Sequence, residues 1–389
     1  MPGAGQSPLL DYPQWRGQHR DGGASSFVEP LSWPEALTRR WQVEVGEGYA
    51  TPIVVGSRVF MFTRRDGHEV VTALRAQSGT TVWQTSYAAP YTPAQPAAAH
   101  GAGPKATPLW HRGRLFTLGI SGMLSAFDAT SGTLVWQTPA PEEHPFFSAA
   151  ASPLGYEDLV VVHPGNYGPL TAFDVDTGAI RWTTEGDGLW SSPILVELSG
   201  TMMIVSALQE SLVGVSPADG TVLWRYPWRG QNGSITPLLH RDTIIVSGLD
   251  LGVVAIRLTR RGTQWTAERA WDTSAVSMYV SNPVIVGETL FGLSHKNSGQ
   301  FFAVDANSGR SLWLGPPRQA DNTAVVKARN RLFLLNDDAE LIVARSSRAG
   351  FEPIARYTVA DTATWAQPAI SGDRIFVKDA RALTLWTVR

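Results

Sequence analysis

Hydrophobic positions along the chain fall in short runs separated by turn residues. In the stretch 107–138, the runs TPLWH, RLFTLG, MLSAFDA and TLVWQT are broken by RG, ISG and TSG. Short runs rich in Val, Ile, Leu, Phe and Thr, bounded by Gly, Asn, Asp and Ser, are typical of β-strands. No segment keeps a 3.6-residue hydrophobic period over the length of a helix. The pattern therefore predicts four short strands per unit and an all-β protein.

One phrase of this pattern is repeated. AFDATSGTLVWQT at 126–138 returns as AFDVDTGAIRWTT at 172–184. In each copy a small residue is followed by Gly six positions later and by Trp four positions after that. This spacing occurs five times, at Ala73–Gly79–Trp83, Ala126–Gly132–Trp136, Ala172–Gly178–Trp182, Gly214–Gly220–Trp224 and Ala303–Gly309–Trp313. Four strands in a repeat of ~42 residues is the arrangement of a β-propeller blade.

A second mark, a small or polar residue followed by Pro, opens the units. It occurs at Pro52, Pro108, Pro153, Pro193, Pro237, Pro283 and Pro368, and one further unit has lost its Pro near Ala324. The last unit has only three strands, whereas TRRWQVEV at 38–45 is a strand without a unit. We therefore predict an eight-bladed β-propeller of four-stranded antiparallel blades whose last blade is closed by the N-terminal strand. The predicted domains are a preamble, 1–37, and a single propeller, 38–389.

The repeated phrase has a local physical explanation. The carboxylates of Asp128, Asp174 and Asp305 can accept hydrogen bonds from N–H groups of the turn that follows. The Gly of each phrase supplies a positive φ where the chain reverses. The Trp that follows lies on the outer strand, where we expect it to pack into the seam with a neighbouring blade. This interpretation assigns about half of the 15 Trp residues to packing.

Composition limits the classes of function. The chain has 389 residues, a formal net charge of -2 and no Cys, which excludes disulfides, thiolate metal sites and Cys nucleophiles. The charge does not favour nucleic acid as a partner. No apolar run reaches the ~18 residues of a transmembrane segment, and we expect a monomer. The N-terminal sequence lacks a signal peptide, which predicts a cytoplasmic protein if the sequence is complete and a periplasmic or cell-envelope protein if a signal peptide was removed.

The repeated phrase, the Pro mark and the eightfold count resemble the PQQ-like, quinoprotein-type β-propeller repeat family of bacteria. The resemblance covers residues 38–389, and PQWRGQHRDG at 13–22 is similar to the beginning of many proteins of that class. It implies one of two classes of function. One comprises PQQ- and calcium-dependent alcohol or sugar dehydrogenases, and the other comprises cofactor-free scaffolds such as the propeller lipoprotein of the outer-membrane protein assembly machine. Fold alone does not decide between them.

Chain length favours the second class. The dehydrogenases of the family are typically much longer, and many carry an adjacent Cys pair that is absent here. The lipid-anchoring Cys of the scaffold lipoprotein is also absent, which distinguishes this chain from that particular protein. We therefore predict a non-catalytic propeller, without a cofactor, that binds a protein or a small ligand through the mouth of its central channel. The alternative is a small quinoprotein dehydrogenase that uses PQQ and Ca²⁺. A propeller enzyme with other chemistry, such as a lyase or hydrolase, remains a third class.

The loops that precede the first strand of each blade share one face with the loops between its second and third strands. We call this side the funnel face, and ligands of propellers usually bind there. The candidate ligand-binding residues in these loops are Tyr49, Lys105, Phe147, Trp190, Asn232, Tyr279, Asn322, Trp365, His295 and Lys378. Trp190 and Trp365 lie outside the repeated Trp position. They either stack on a flat ligand or close the channel mouth.

Other chemistry has weaker support. Asp337, Asp338 and Asp379 are the candidate Ca²⁺ ligands, but no EF-hand spacing accompanies them. No HExxH, G-x-S-x-G or Walker sequence is present, so no catalytic residue is assigned. Two loops are predicted to form the rim of the funnel face: the Pro- and Ala-rich stretch 86–104, as a lid or partner-docking element, and 141–149, with Phe146 and Phe147.

Overall fold

The computed structural model describes residues 12–143, 145, 147–229 and 234–389. Within these ranges the chain forms 32 β-strands and two short 3-10 helices, and the strands group into eight four-stranded antiparallel sheets. None of the helices in the described ranges has the length and apolar character needed to cross a membrane. The prediction of an all-β, eight-bladed propeller is confirmed.

The first four blades use sixteen strands in chain order. They are β2 (Ile53–Val55), β3 (Arg58–Arg65), β4 (His68–Arg75), β5 (Thr81–Ala88), β6 (Leu109–His111), β7 (Arg114–Leu118), β8 (Leu124–Asp128), β9 (Leu134–Gln137), β10 (Leu154–Tyr156), β11 (Leu159–Val162), β12 (Thr171–Asp174), β13 (Ile180–Thr183), β14 (Ile194–Leu198), β15 (Thr201–Ala207), β16 (Ser211–Val215) and β17 (Val222–Pro227). The 3-10 helix η1 (Gln95–His100) lies between blades one and two.

The remaining blades complete the ring. Blades five to seven consist of β18 (Leu238–His240), β19 (Thr243–Gly248), β20 (Gly252–Arg261), β21 (Gln264–Thr273), β22 (Val284–Val286), β23 (Thr289–Ser294), β24 (Gln300–Asp305), β25 (Ser311–Leu314), β26 (Thr323–Ala328), β27 (Arg331–Asn336), β28 (Glu340–Arg345) and β29 (Glu352–Thr358). Blade eight consists of β30 (Ala369–Ser371), β31 (Arg374–Lys378), β32 (Ala382–Thr387) and β1 (Thr38–Glu44). The second 3-10 helix, η2 (Lys296–Ser298), connects β23 to β24.

The N-terminal strand closes the last blade, as predicted. β1 pairs antiparallel with β32, with Gln42 opposite Thr384. The indole N–H of Trp41 then donates to the backbone oxygen of Ala76 in blade one, at 3.1 Å. The two ends of the chain therefore share one sheet, and that sheet packs against the first blade.

The buried apolar side chains of the described residues fall into eight clusters, one at each seam between neighbouring blades. Between blades two and three, the indole N–H of Trp136 donates to the backbone oxygen of Val175 at 3.0 Å. Its ring lies so close to Gly178 that a Cβ there would be 2.7 Å away. The Gly of each phrase therefore makes room for the Trp of the preceding blade, in addition to its φ of +71°.

The same contact recurs around the ring. The Trp side chains whose indole N–H donates to the backbone of the next blade are Trp41, Trp83, Trp136, Trp182, Trp271 and Trp313. The Asp caps are also confirmed, since Asp128 Oδ1 accepts from the N–H groups of Thr130 and Ser131 at 3.0 and 2.8 Å. The repeated phrase thus encodes both a turn and a contact between blades.

Two seams differ from this scheme. Trp224 packs in the seam cluster, but it lies over Gly214, and its indole nitrogen is 3.1 Å from Met203 Sδ in its own blade. In blade seven, Tyr357 takes the Trp position, and its hydroxyl donates to the backbone oxygen of Pro34 at 2.8 Å. The seam between blades seven and eight is therefore completed by the preamble.

In blades one to four, the residues before the Pro marks link neighbouring blades around the shaft. The N–H of Thr51 donates to Thr107 Oγ1 at 3.2 Å, that of Thr107 to Ser152 Oγ at 2.9 Å, and that of Ser152 to Ser192 Oγ at 2.9 Å. A Pro keeps the preceding residue extended, so that its side chain can reach the next backbone. This accounts for the small polar residue in front of the Pro.

The preamble crosses the central shaft, a placement that the sequence did not predict. The backbone of Tyr12 exchanges two hydrogen bonds of 2.9 Å with Val54 in blade one, and its hydroxyl donates to Gln367 in blade eight at 3.0 Å. The N–H of Ala24 donates to the oxygen of Lys327 in blade seven at 2.8 Å. We call residues 12–24 the N-terminal plug.

Two buried arginines fix the N-terminal plug to the inner strands. Arg20 donates to the backbone oxygens of Ser152 and Pro153 at 2.9 and 2.8 Å, and Arg16 donates to that of Pro283. Burial lowers the pKa of Arg20 to about 9, which leaves the guanidinium charged at neutral pH. After the plug, the N–H of Val28 donates to Gly372 at 2.9 Å, in a turn on the face opposite the funnel. The N-terminal plug therefore closes the shaft below the funnel.

Candidate functional site

The funnel face carries two aromatic clusters, and the first joins blades eight and one. The ring of His100 meets that of Trp365 edge to face, with centroids 4.7 Å apart, and Tyr49 lies 6.4 Å from both. Burial lowers the pKa of His100, so its ring is neutral near pH 7. All three side chains are half-buried. We call Tyr49, His100 and Trp365 the first rim cluster.

The second rim cluster, Phe147, Tyr167 and Trp190, lies on blades three and four. The ring of Trp190 is 5.3 Å from Phe147 and 5.8 Å from Tyr167. Beside this cluster, Lys105 Nζ donates to the backbone oxygen of Phe147 at 3.1 Å, and burial lowers the pKa of that amine to about 8. The structure thus brings together three of the predicted site residues, Lys105, Phe147 and Trp190. Tyr167 joins them from the loop between the second and third strands of blade three.

The loop 89–104 connects the two rim clusters. His100 ends η1 and reaches the first cluster, while the hydroxyl of Tyr91 is 3.5 Å from the backbone oxygen of Pro145, next to the second. The N–H groups of Tyr49 and Ala50 both donate to Pro104, at 2.9 and 3.1 Å. Residues 86–88 of the predicted rim loop 86–104 belong instead to β5, whereas the rest of it lies on the funnel face, as expected from the sequence.

The other candidate residues that the structure describes do not belong to either rim cluster. Asn322 is buried, accepts from the hydroxyl of Ser281 at 2.7 Å and does not join either cluster. Lys378 is fully buried and donates to the backbone oxygen of Asp379, and burial lowers its pKa to about 8. Tyr279 is 37% exposed. The remaining two are His295, whose Nε2 lies 2.9 Å from Asp250 Oδ1, and Asn232, which falls outside the described residues.

The residues proposed for calcium do not form one group. Asp337 Oδ1 accepts from the N–H of Asn322 at 2.9 Å, and Asp379 Oδ1 accepts from the N–H groups of Arg381 and Ala382 at 2.9 and 2.7 Å. Within the described ranges, no three His, Asp or Glu side chains come together in a set that could hold a metal ion. The carboxylates of Asp337, Asp338 and Asp379 therefore do not provide the oxygen shell that Ca²⁺ requires.

The space beside Trp190 does not fit the family's quinone cofactor. The void there measures about 10 Å³ and is also lined by Ser148, His163 and Tyr167. A void of this size is near the minimum for one water molecule. Ser148 Oγ is buried there without a hydrogen-bond partner, which suits a single water molecule. A fused-ring cofactor such as PQQ has no room in this arrangement.

A buried carboxyl group beneath the rim was missed by the sequence reasoning. Glu69 is fully buried between blades one and two, and its Oε1 accepts from the N–H of Ile120 at 2.6 Å. Burial raises the pKa of Glu69, although this backbone hydrogen bond and the nearby Arg64 act in the opposite direction. The one sequence signal was a Glu at the start of the otherwise apolar run EVVTAL.

Solved structures share this architecture. BamB from Moraxella catarrhalis superposes with a TM-score of 0.65 and 17% identity, over 90% of this chain and 98% of that chain. A europium-containing methanol dehydrogenase superposes with a TM-score of 0.67 and 12% identity, over 97% and 99%. At these identities the likeness shows a common fold, and it covers both functional classes that the repeat implies.

Sequence comparison identifies the family. BamB of Shewanella oneidensis is 23% identical over 376 residues, which cover 90% of this chain and 88% of the relative. BamB of Yersinia pestis is 24% identical over 264 residues, 61% of this chain and 63% of the relative. A family model described as outer membrane protein assembly factor BamB matches residues 65–314. The chain therefore belongs to the outer membrane protein assembly factor BamB family.

Proposed function

We propose that this protein is a non-catalytic propeller of the bacterial envelope that binds a partner protein during outer membrane protein assembly. The relatives that match most of the chain are named as factors of that process. We further propose that the partner binds on the funnel face. The observation that carries this part is the pair of half-buried aromatic clusters held on one rim by the loop 89–104.

The rim has the physical character of a protein-binding surface. Aromatic side chains provide large contact area at low conformational cost and are enriched at the energetic centres of interfaces. Tyr49 and Trp365 are packed edge to face, as are Phe147 and Trp190, so each ring is held in place before a partner arrives. Tyr279 adds an exposed ring on the same face.

The shape of the funnel supports surface contact rather than enclosure of a small molecule. The N-terminal plug closes the shaft beneath the rim, and the void beside Trp190 holds at most one water. Small-molecule sites usually occupy ~300–1,000 Å³. The rim around the second cluster is therefore better suited to contact with another protein than to enclosure of a small molecule. A separate polar pocket of about 460 Å³, lined by Glu47, Arg65 and Arg381, lies on the same face between blades eight and one. The site of action consistent with this role is the periplasm.

Photo-crosslinking in bacteria tests the proposal. A photoreactive amino acid is placed at Tyr279 or Trp365 on the funnel face. Matched controls carry it at Ile180, which is 64% exposed on an outer strand, and at Arg112, on the opposite face. We expect the funnel positions to form crosslinks to a component of the outer membrane protein assembly machinery, and the controls to form none.

Two results would contradict different parts of the proposal. Crosslinks to that machinery from Ile180 or Arg112 alone would place the partner on another surface. No crosslinks to it from any position, together with unchanged outer-membrane protein levels in a strain that lacks the gene, would remove the assembly role itself.

A further inference from the structure

A polar cleft lies at the closure of the ring, on the face opposite the funnel. It occupies about 650 Å³ between blades eight and one, where the start of β1 and the end of β32 face two turns of blade one. Leu385 and Ala76 on its floor are buried. The polar residues that line it include Arg40, Ser57, Arg75, Ser78, Arg374 and Thr387.

The charge of the cleft is strongly one-sided. Three arginines line it, and Asp373 is the one acidic residue among its lining. No acidic side chain in the described ranges forms a salt bridge with Arg40 or Arg75. Arg40 does contact the main-chain oxygen of Arg389, the last residue of the sequence. Positive charges that face a common concave surface raise the local concentration of anions.

Two of the guanidinium groups are held in position. Arg40 Nε donates to Thr387 Oγ1 at 2.9 Å, and its Nη2 donates to the backbone oxygen of Arg389 at 3.2 Å. Arg374 Nη2 donates to Ser371 Oγ at 2.7 Å, and its guanidinium lies 5.7 Å from the centre of the Phe376 ring. A guanidinium has five N–H donors, so Arg40 keeps donors beyond these two bonds. Positioning before binding lowers the entropy cost of ligand capture.

We propose that this cleft binds a phosphate-type oxyanion, with Arg40 and Arg75 as its main ligands. The planar fork of an arginine matches the oxygens of a phosphate group, and the hydroxyls of Ser57 and Ser78 can donate to the remaining oxygens. The exposed Arg75 lines the cleft from blade one and the positioned Arg40 lines it from blade eight, so that an anion bound in the cleft can contact both. The same chemistry is offered by free phosphate and by the headgroup of an anionic phospholipid.

Binding of two probes to the full-length protein tests this site. Inorganic phosphate is titrated by calorimetry, and vesicles of phosphatidylglycerol and phosphatidylethanolamine are tested by co-sedimentation. The double variant R40Q/R75Q is compared with R261Q/R310Q, whose arginines are exposed on the same face, away from the cleft. Equal thermal melting of the two variants checks that both fold.

We expect R40Q/R75Q to weaken binding by at least about tenfold and R261Q/R310Q to leave it nearly unchanged. Loss of phosphate binding identifies free phosphate as a ligand, and loss confined to vesicles identifies the lipid headgroup. The proposal is overturned if neither probe binds the wild type, or if both double variants lose binding equally.

Discussion

At the scale of single residues, the N-terminal plug contains a glycine at which any side chain would collide with backbone. Gly17 has a φ of +80°, and a Cβ there would lie 2.3 Å from the backbone oxygen of Gly23. Gly67, in the turn between β3 and β4, has a φ of +79° with nothing within 4 Å of the same position. The two glycines therefore have nearly the same positive φ and differ in the space available for a side chain.

Substitution of these two glycines by alanine separates strain from collision. We expect Gly67→Ala to lower the free energy of unfolding by about 1–2 kcal/mol, the cost of a left-handed backbone. Gly17→Ala should cost about 1–3 kcal/mol more, because the collision involves backbone that cannot move aside. Denaturant unfolding measures both, and equal losses would show that the N-terminal plug is not held in the shaft.

The buried Glu69 makes stability depend on pH. Because burial raises its pKa in the folded state, the unfolded carboxyl ionises first as the pH rises. The contribution of Glu69 to stability is therefore complete below the ordinary Glu pKa of ~4.3 and is lost as the pH rises through the raised value. We expect Glu69→Gln to be more stable than the wild type at pH 7, with a smaller difference at pH 4.

Thermal melts of the wild type and the Glu69→Gln variant between pH 4 and pH 7 check the direction of this stability difference. The glutamine can still accept the hydrogen bond from Ile120, so the packing contact is retained. A variant that is less stable than the wild type at pH 7 would show that the ionised carboxylate is favourable in the seam, contrary to the expected direction of the pKa shift.

At the scale of the blade, the structure separates two kinds of tryptophan. Trp182 is 7% exposed, donates to the backbone oxygen of Pro217 at 2.8 Å and covers Gly220 of the next blade. Trp190 is half-buried on the rim. We expect Trp182→Ala to lower the free energy of unfolding by about 3–5 kcal/mol. Trp190→Ala should cost about 1–2 kcal/mol, because less of its surface leaves water on folding.

Denaturant midpoints of the two variants measure this difference in stability. Binding of the partner protein measures the contribution of Trp190 to the funnel face. Trp190→Ala should weaken binding to the funnel face while the protein stays folded. If the two variants were equally damaged in stability, the distinction between seam and rim tryptophans would be wrong.

The elements that could be predicted from the sequence are those with a local cause. In the three phrases with an Asp cap, the Asp, the Gly turn and the Trp lie within a dozen residues of one another, and the structure confirms their roles. Trp224 departs from the scheme because blade five is different. Its strands β20 and β21 each run for ten residues, and Trp224 packs in the seam while its indole nitrogen contacts Met203 Sδ of its own blade.

The site was only partly predictable for a related reason. Propeller geometry decides which loops share a face, and the first and second rim clusters lie on the face expected. The contacts within them depend on long-range loop paths, as when the loop 89–104 brings His100 onto Trp365. The placement of Arg16 and Arg20 in the shaft likewise depends on backbone oxygens from blades three and six, which no local pattern records.

At the scale of the whole molecule, the ring is held by both ends of the chain. β1 supplies the outer strand of blade eight, and Trp41 covers Gly79 of blade one. Full burial of a Trp removes ~150–250 Å² from water, which corresponds to about 4–6 kcal/mol, and Trp41, which is half-buried, gains part of that. The N-terminal plug makes a separate set of contacts inside the shaft. Closure and plugging can therefore be tested independently.

Two truncations distinguish these contributions. Deletion of residues 1–46 removes the plug and β1, and we expect the free energy of unfolding to fall by at least about 4 kcal/mol, with rapid proteolysis within β30–β32. Deletion of residues 1–24 removes the plug alone, and it should destabilise the protein less and leave blade eight protected, because β1 still pairs with β32. Limited proteolysis followed by mass spectrometry locates the first cuts. Equal melting and equal protection of blade eight in the two truncations would show that the ring does not need its N-terminal strand.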